Sequence, residues 1–160
     1  MAGSKTAMKN GKKVRGFSLI EVLFSVFMVV VCAGIVAATM PVATNAHVRA
    51  DNYSKALNLA QEQLETIRGN GFANATVGQL CAYGLIDNES PVATNTYTFS
   101  NTSAATPANL DSPAKVLQHG SGTIMVQLLN FNLTQVVVTV SWRDQMGNHS
   151  VQLGTLIANL

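Results

Sequence analysis

The chain has 160 residues, of which 48% are hydrophobic and 11% charged, and this length leaves room for one small domain beside a membrane segment, not for two. The formal net charge of +2 belongs to the first 16 residues, which hold five of the ten basic residues and no acid, and without them it is −3. The remainder gives no compositional indication of nucleic-acid binding. Cys32 and Cys81 are not expected to form a disulfide, because Cys32 lies within the apolar run of residues 17–40, which is predicted to span a membrane, and Cys81 lies outside it.

Residues 1–16 and 17–40 together predict a membrane anchor. The first range is basic, and the second is an apolar run of 24 residues whose only charged side chain is Glu21. A run of this length crosses a bilayer core as a helix. Because basic residues stay on the cytoplasmic side, we expect a single-pass inner-membrane protein with its N-terminus inside and everything after Met40 exported.

Glu21 is the unusual residue of the apolar run. An acidic side chain near the centre of a membrane span costs about 2.5 to 3.5 kcal/mol, and less near an end, so Glu21 requires a partner. Cleavage after Gly16, which has no side chain to obstruct a protease, creates an ammonium group on Phe17. That ammonium lies one helical turn from Glu21, and the helix dipole at this end also favours a negative charge.

The basic leader ending in Gly16, the Phe-Ser-Leu-Ile-Glu-Val-Leu block of residues 17–23 and the apolar helix resemble a type IV prepilin. The resemblance implies that an inner-membrane prepilin peptidase cleaves between Gly16 and Phe17 and N-methylates Phe17. It also implies that Glu21 pairs with the N-terminus of a neighbouring subunit during filament assembly. Met8 is an alternative start that keeps the basic end of the leader.

Two other interpretations of the N-terminus remain. A secretory signal cleaved near Ala43 or Ala46 fits poorly, because its apolar region has about 7 to 15 residues and no internal glutamate. A plain signal anchor could instead hold an unrelated exported domain, and Glu21 would then have no role.

Residues 41–71 predict an amphipathic continuation of the helix. Pro41 lacks an N–H and clashes with a preceding carbonyl, so it predicts a kink. Glycine and asparagine at residues 69–71 predict the end of the helix in left-handed backbone. The expected apolar face consists of Tyr53, Leu57, Ala60, Leu64 and Ile67, and the expected exposed face of Asp51, Lys55, Glu62, Gln63 and Arg68.

Residues 72–160 predict an exported head with a loop-rich first part, residues 72–122, and a C-terminal antiparallel sheet. The strand signals are residues 96–100, 123–131 and 136–142, followed by a turn at 144–148 and a last strand that completes a hairpin. The expected fold class is α+β, a long N-terminal helix packed on a small antiparallel sheet. The final hairpin is similar to that of minor pilins and type II secretion pseudopilins.

The sequence contains no catalytic or metal-binding constellation, because its three histidines are scattered, and His119 beside Ser121 fits a turn better than a hydrolase elbow. We therefore expect no enzyme activity and no cofactor. The predicted function is a structural subunit, a minor pilin or pseudopilin, of a type IV pilus or type II secretion pseudopilus. Its implied partners are the prepilin peptidase, other pilin or pseudopilin subunits, the inner-membrane assembly platform and membrane lipid. The alternatives are a major pilin and a membrane-anchored exported binding domain that never polymerises.

Overall fold

The computed structural model describes residues 18–145 and 147–159. The chain divides into two compact units, Met1–Asn45 and Ala46–Leu160. Helix α1, Leu19–Gly69, begins in the first unit and ends in the second. The second unit adds a four-stranded antiparallel sheet, so the fold class is α+β, as predicted.

The part of α1 in the first unit is an exposed apolar helix. Every described side chain between Ser18 and Asn45 is exposed, and this helix is long and apolar enough to cross a membrane. The chain is helical through Pro41, and the predicted kink stays a prediction. Two threonine hydroxyls flank the proline: Thr39 Oγ1 donates to the carbonyl of Val36 (3.1 Å) and Thr44 Oγ1 to that of Pro41 (3.0 Å).

The part of α1 in the second unit buries a narrow stripe of side chains. Gln63 is fully buried, whereas Tyr53 and Leu57 are 40% and 38% exposed. The prediction was therefore wrong at two positions of the apolar face, Tyr53 and Leu57, and at one of the exposed face, Gln63. The buried stripe is rotated from the predicted one and accommodates a glutamine amide with hydrogen-bond partners. The helix ends at Gly69, within the predicted segment 69–71. In that segment Gly71 has a positive φ, 78°. The buried side chains of this stripe are Ala56, Leu59, Ala60, Gln63 and Ile67.

The sheet has four strands, β1 Thr96–Phe99, β2 Ser121–Asn130, β3 Leu133–Asp144 and β4 Gly147–Ala158. It is a simple meander in which consecutive strands pair in the order β1-β2-β3-β4. Val138 of β3 lies opposite Ile124 of β2 and Leu153 of β4, so these apolar side chains share the inner face. Asp144 pairs with Gly147 across the predicted turn. All four predicted strands are confirmed.

The core lies between the inner face of the sheet, the buried stripe of α1 and the segment 72–120. This segment was predicted as loop-rich, and it also contains a 3₁₀ turn, Phe72–Asn74, and two short helices, α2 Val77–Ala82 and α3 Pro113–Val116. It contributes fully buried side chains such as Leu80 and Leu85. The segment is therefore part of the head and not a detached excursion.

Candidate functional site

The candidate site is the N-terminal end of α1, where Glu21 is the third helical residue. The backbone carbonyl of Ser18 accepts hydrogen bonds from the amides of Glu21 (2.9 Å) and Val22 (3.2 Å), which starts the helix. The hydroxyl of Ser25 donates to the backbone carbonyl of Glu21 (2.7 Å), so that contact does not involve the carboxylate. Glu21 therefore lies in the first turn, where the helix dipole favours a negative charge.

The carboxylate of Glu21 has neither an ion pair nor a hydrogen bond within the described part of the chain. Its neighbours are exposed apolar side chains, including Ile20 (71% exposed) and Phe24 (59% exposed). In water this carboxylate is solvated and needs no partner. Among lipid chains or packed apolar helices it requires a positive partner or a proton.

Ser18 and Glu21 also match the serine–glutamate spacing of a capping box, a signal that the sequence analysis missed. In a capping box the serine hydroxyl would accept from the Glu21 amide, and the glutamate carboxylate would accept from the Ser18 amide. Here the Glu21 amide bonds the Ser18 carbonyl instead. The carboxylate is consequently not used in a local cap among the described residues.

The other predicted N-terminal site residues, Gly16 and Phe17, lie outside the described residues. The predicted cleavage bond and the predicted methylated amine therefore stay predictions. Pro41, the fourth predicted site residue, is exposed in α1 and lies about five and a half helical turns after Glu21 in the sequence.

A cluster of aromatic rings in the second unit joins α1 to the last hairpin. The rings of Tyr53 and Trp142 meet edge to face at 4.9 Å between centroids, and the imidazole of His149 lies 5.6 Å from Trp142. His149 Nε2 is 3.1 Å from Asp144 Oδ1. Since Trp142 is only 2% exposed, we interpret this cluster as packing that fixes the hairpin against the helix.

The other chemistry-bearing side chains do not converge. His119 lies two residues before β2 and has a φ of 51°, as expected of a turn residue, and Ser121 is the first residue of that strand. Cys81 packs partly buried against the core of the second unit, while Cys32 is exposed in the first unit. Within residues 18–145 and 147–159, no group of three or more His, Cys, Asp or Glu side chains could hold a metal ion.

Comparison with protein-family models, with curated proteins and with solved structures finds no match to this chain. The resemblance to type IV prepilins therefore stays a prediction from the residues of the N-terminal segment.

Proposed function

We propose that the chain is a filament subunit of the type IV pilin class, a minor pilin or pseudopilin, which is cleaved after Gly16 and assembles through α1. The observation that supports this proposal most is the carboxylate of Glu21, which has no partner among the described residues and lies in the first turn of an exposed apolar helix. A small α+β head follows on the same helix. Soluble proteins rarely expose such a helix to water, because the apolar side chains of the helix require lipid or other helices around them.

Cleavage supplies the positive charge that Glu21 lacks. The new amine of Phe17 would be one helical turn from the Glu21 of its own chain and within reach of the same residue on an adjacent helix. N-methylation keeps this amine protonated near neutral pH. A neighbouring Glu21 would neutralise it as the two helices pack, so that both charges leave water as a pair.

Removal of residues 1–16 also removes half of the basic residues of the chain. These residues hold the N-terminus on the cytoplasmic side before processing. Without them the helix carries one carboxylate and one amine near its start, and can move out of the membrane into a filament without transferring a cluster of lysines through lipid.

The substitution Glu21→Ala tests the proposal. We expect membrane insertion and cleavage to be largely retained, because alanine maintains the helix and the leader is intact. Incorporation into filaments should fall by about tenfold or more, the equivalent of about 1.4 kcal/mol for a lost ion pair. The measurement is the ratio of subunit in sheared filaments to subunit in membranes.

Glu62→Ala is the matched control, because Glu62 is an exposed carboxylate on the same helix in the second unit. It should incorporate as the unmodified chain does. If Glu21→Ala incorporates as well as Glu62→Ala, Glu21 has no assembly role. If neither variant nor the unmodified chain is found in sheared filaments, the non-polymerising membrane-anchored domain is the better account.

A further inference from the structure

The two edges of the sheet differ sharply in how they are protected. Strand β1 is only four residues long, and the segment before it covers its outer side. The amide of Asp87 donates to the carbonyl of Thr98 and the amide of Val92 to that of Thr96, both at 2.8 Å. The β1 edge is therefore closed to any further strand.

Strand β4, at the other edge, has none of the features that usually protect an edge. Its twelve residues include no Asp, Glu, Lys, Arg or Pro, and its register with β3 is continuous. Natural edge strands are normally short, charged, interrupted by proline or bulged, because an open edge pairs with other chains. Among the described residues, β4 has no backbone hydrogen bond beyond its ladder with β3.

The register identifies which groups of β4 face outward. In an antiparallel ladder, residues alternate between pairs that exchange hydrogen bonds and pairs that do not. The Asn159 amide bonds the Asn132 carbonyl, so odd-numbered residues of β4 bond β3. The amides and carbonyls of the even-numbered residues point away from the sheet, namely those of Asn148, Ser150, Gln152, Gly154, Leu156 and Ala158.

The side chains of β4 show that the hydrophobic core is incomplete at this edge. Val151 and Leu153 point to the inner face but are only partly buried, and Leu156 on the outer face is 55% exposed. An additional strand with alternating apolar side chains would cover Val151 and Leu153 and would satisfy the outward amides and carbonyls. Only an extended polypeptide presents both kinds of group at this spacing.

We infer that β4 is a strand-addition site, and that its occupant is an extended segment of a different polypeptide in the same assembly. This choice of occupant rests on the proposed function, in which all copies of the chain have the same orientation. Antiparallel pairing of β4 with the β4 of a second copy would reverse one head relative to the other. Parallel pairing would place the polar outer face of one copy beside Val151 and Leu153 of the other.

The third arrangement of two copies, in which β4 of one pairs with β1 of the next, is also excluded. β4 and β1 run in opposite directions in this meander, so copies side by side would bring β4 against the β1 edge of the next. That edge is the one covered by the bonds from Asp87 and Val92. Because no edge of a co-oriented copy fits, β4 selects another protein, as expected of a subunit that joins a mixed assembly.

The test places the photo-crosslinking residue benzoylphenylalanine at Gln152 of the full chain in its native host. Thr139 is the matched control, because it lies directly opposite Gln152 on the same face but in the interior strand β3. We expect adducts with one other polypeptide from Gln152 and none from Thr139. Repeating the experiment at Ser150 and Leu156 should map the adducts to one segment, in linear order.

A second variant tests the backbone itself. Gln152→Pro removes an outward amide without removing a bond to β3, and Gln152→Ala controls for the lost side chain. We expect the yield of adducts from Ser150 to fall at least tenfold in the proline variant and to be unchanged in the alanine variant. Gln152→Lys, which retains the backbone, should also lower this yield.

Three outcomes would overturn the inference: adducts only with a second copy of the chain, equal adducts from Thr139, or no adduct from β4 in filaments that contain the chain. The N-terminal residue is determined on the same material. A chain that begins at Phe17 in filaments but gives no β4 adduct refutes the strand-addition site alone. A chain with an intact leader that still gives ordered adducts refutes the filament function alone.

Discussion

At the scale of single residues, Gln63 is the buried polar side chain that links α1 to the segment 72–120. Its Nε2 donates to the carbonyl of Leu85 (2.9 Å), and its Oε1 accepts from Asn101 Nδ2 (3.1 Å). The same Asn101 amide donates to the carbonyl of Asp111 (2.9 Å). One buried glutamine thus connects α1 directly to two points of the segment 72–120, Leu85 and Asn101, and through Asn101 to a third, Asp111.

Gln63 could not be identified from the sequence, because a polar residue in an amphipathic pattern is assigned to the exposed face. The buried position became favourable only through partners 22 and 38 residues away in the chain. Glu21 is the opposite case. It could be singled out from the sequence, because one carboxylate in an apolar run is a local exception.

The substitution Gln63→Leu should lower the free energy of unfolding of the head by about 1 to 3 kcal/mol. Leucine fills similar space but leaves the Leu85 carbonyl and the Asn101 amide without their partner. The measurement is thermal unfolding of the full chain in detergent, followed by the fluorescence of Trp142, the single tryptophan. Gln61→Leu, at an exposed position, is the control, and an equal effect of both substitutions would contradict this role for Gln63.

At the scale of secondary-structure elements, the β2–β3 and β3–β4 hairpins form most of the sheet. Their alternating apolar residues made them predictable from the sequence. Val136, Val138 and Val140 are fully buried, as the alternation in β3 indicated. The helices α2 and α3 were missed because six and four residues are too few to show a helical period. Pro113 at the start of α3 was a helix signal, although in the sequence it was interpreted as part of a loop.

Two strand glycines give a matched test of this packing. A Cβ at Gly122 would clash with the ring of Phe99, whereas one at Gly154 would be in ordinary contact with Val137, 3.4 Å from its Cγ2. Gly122→Ala should therefore lower the free energy of unfolding by about 1 to 3 kcal/mol. Gly154→Ala should change it by less than about 0.5 kcal/mol or increase it. The reverse order in denaturant unfolding would show that Phe99 does not cover Gly122.

At the scale of the whole molecule, the chain combines an exposed apolar helix with a head that has its own core. The first unit has no buried described side chain, and the core residues all belong to the second unit. Such a helix is stable only in lipid or among other helices, while the head can face water. This division is what a single-pass anchor with an exported domain requires.

Labelling with a membrane-impermeant maleimide tests this topology. Ser90 is exposed in the head, so a Ser90→Cys variant should be labelled when the reagent is added outside intact spheroplasts. The native Cys32 should not react, because the predicted topology places it within the bilayer. Labelling of the Ser90→Cys variant only after lysis would place the head in the cytoplasm and contradict the predicted orientation.

The most direct test of the filament function is mass spectrometry of the mature N-terminus, on membranes and on sheared surface filaments of the native host. We predict a chain that begins at N-methylated Phe17 in both fractions, and its abundance in the filaments would separate a minor subunit from a major one. A terminus near Ala46 or His47, or an intact leader in both fractions, would contradict the filament function and leave Glu21 without a role in assembly.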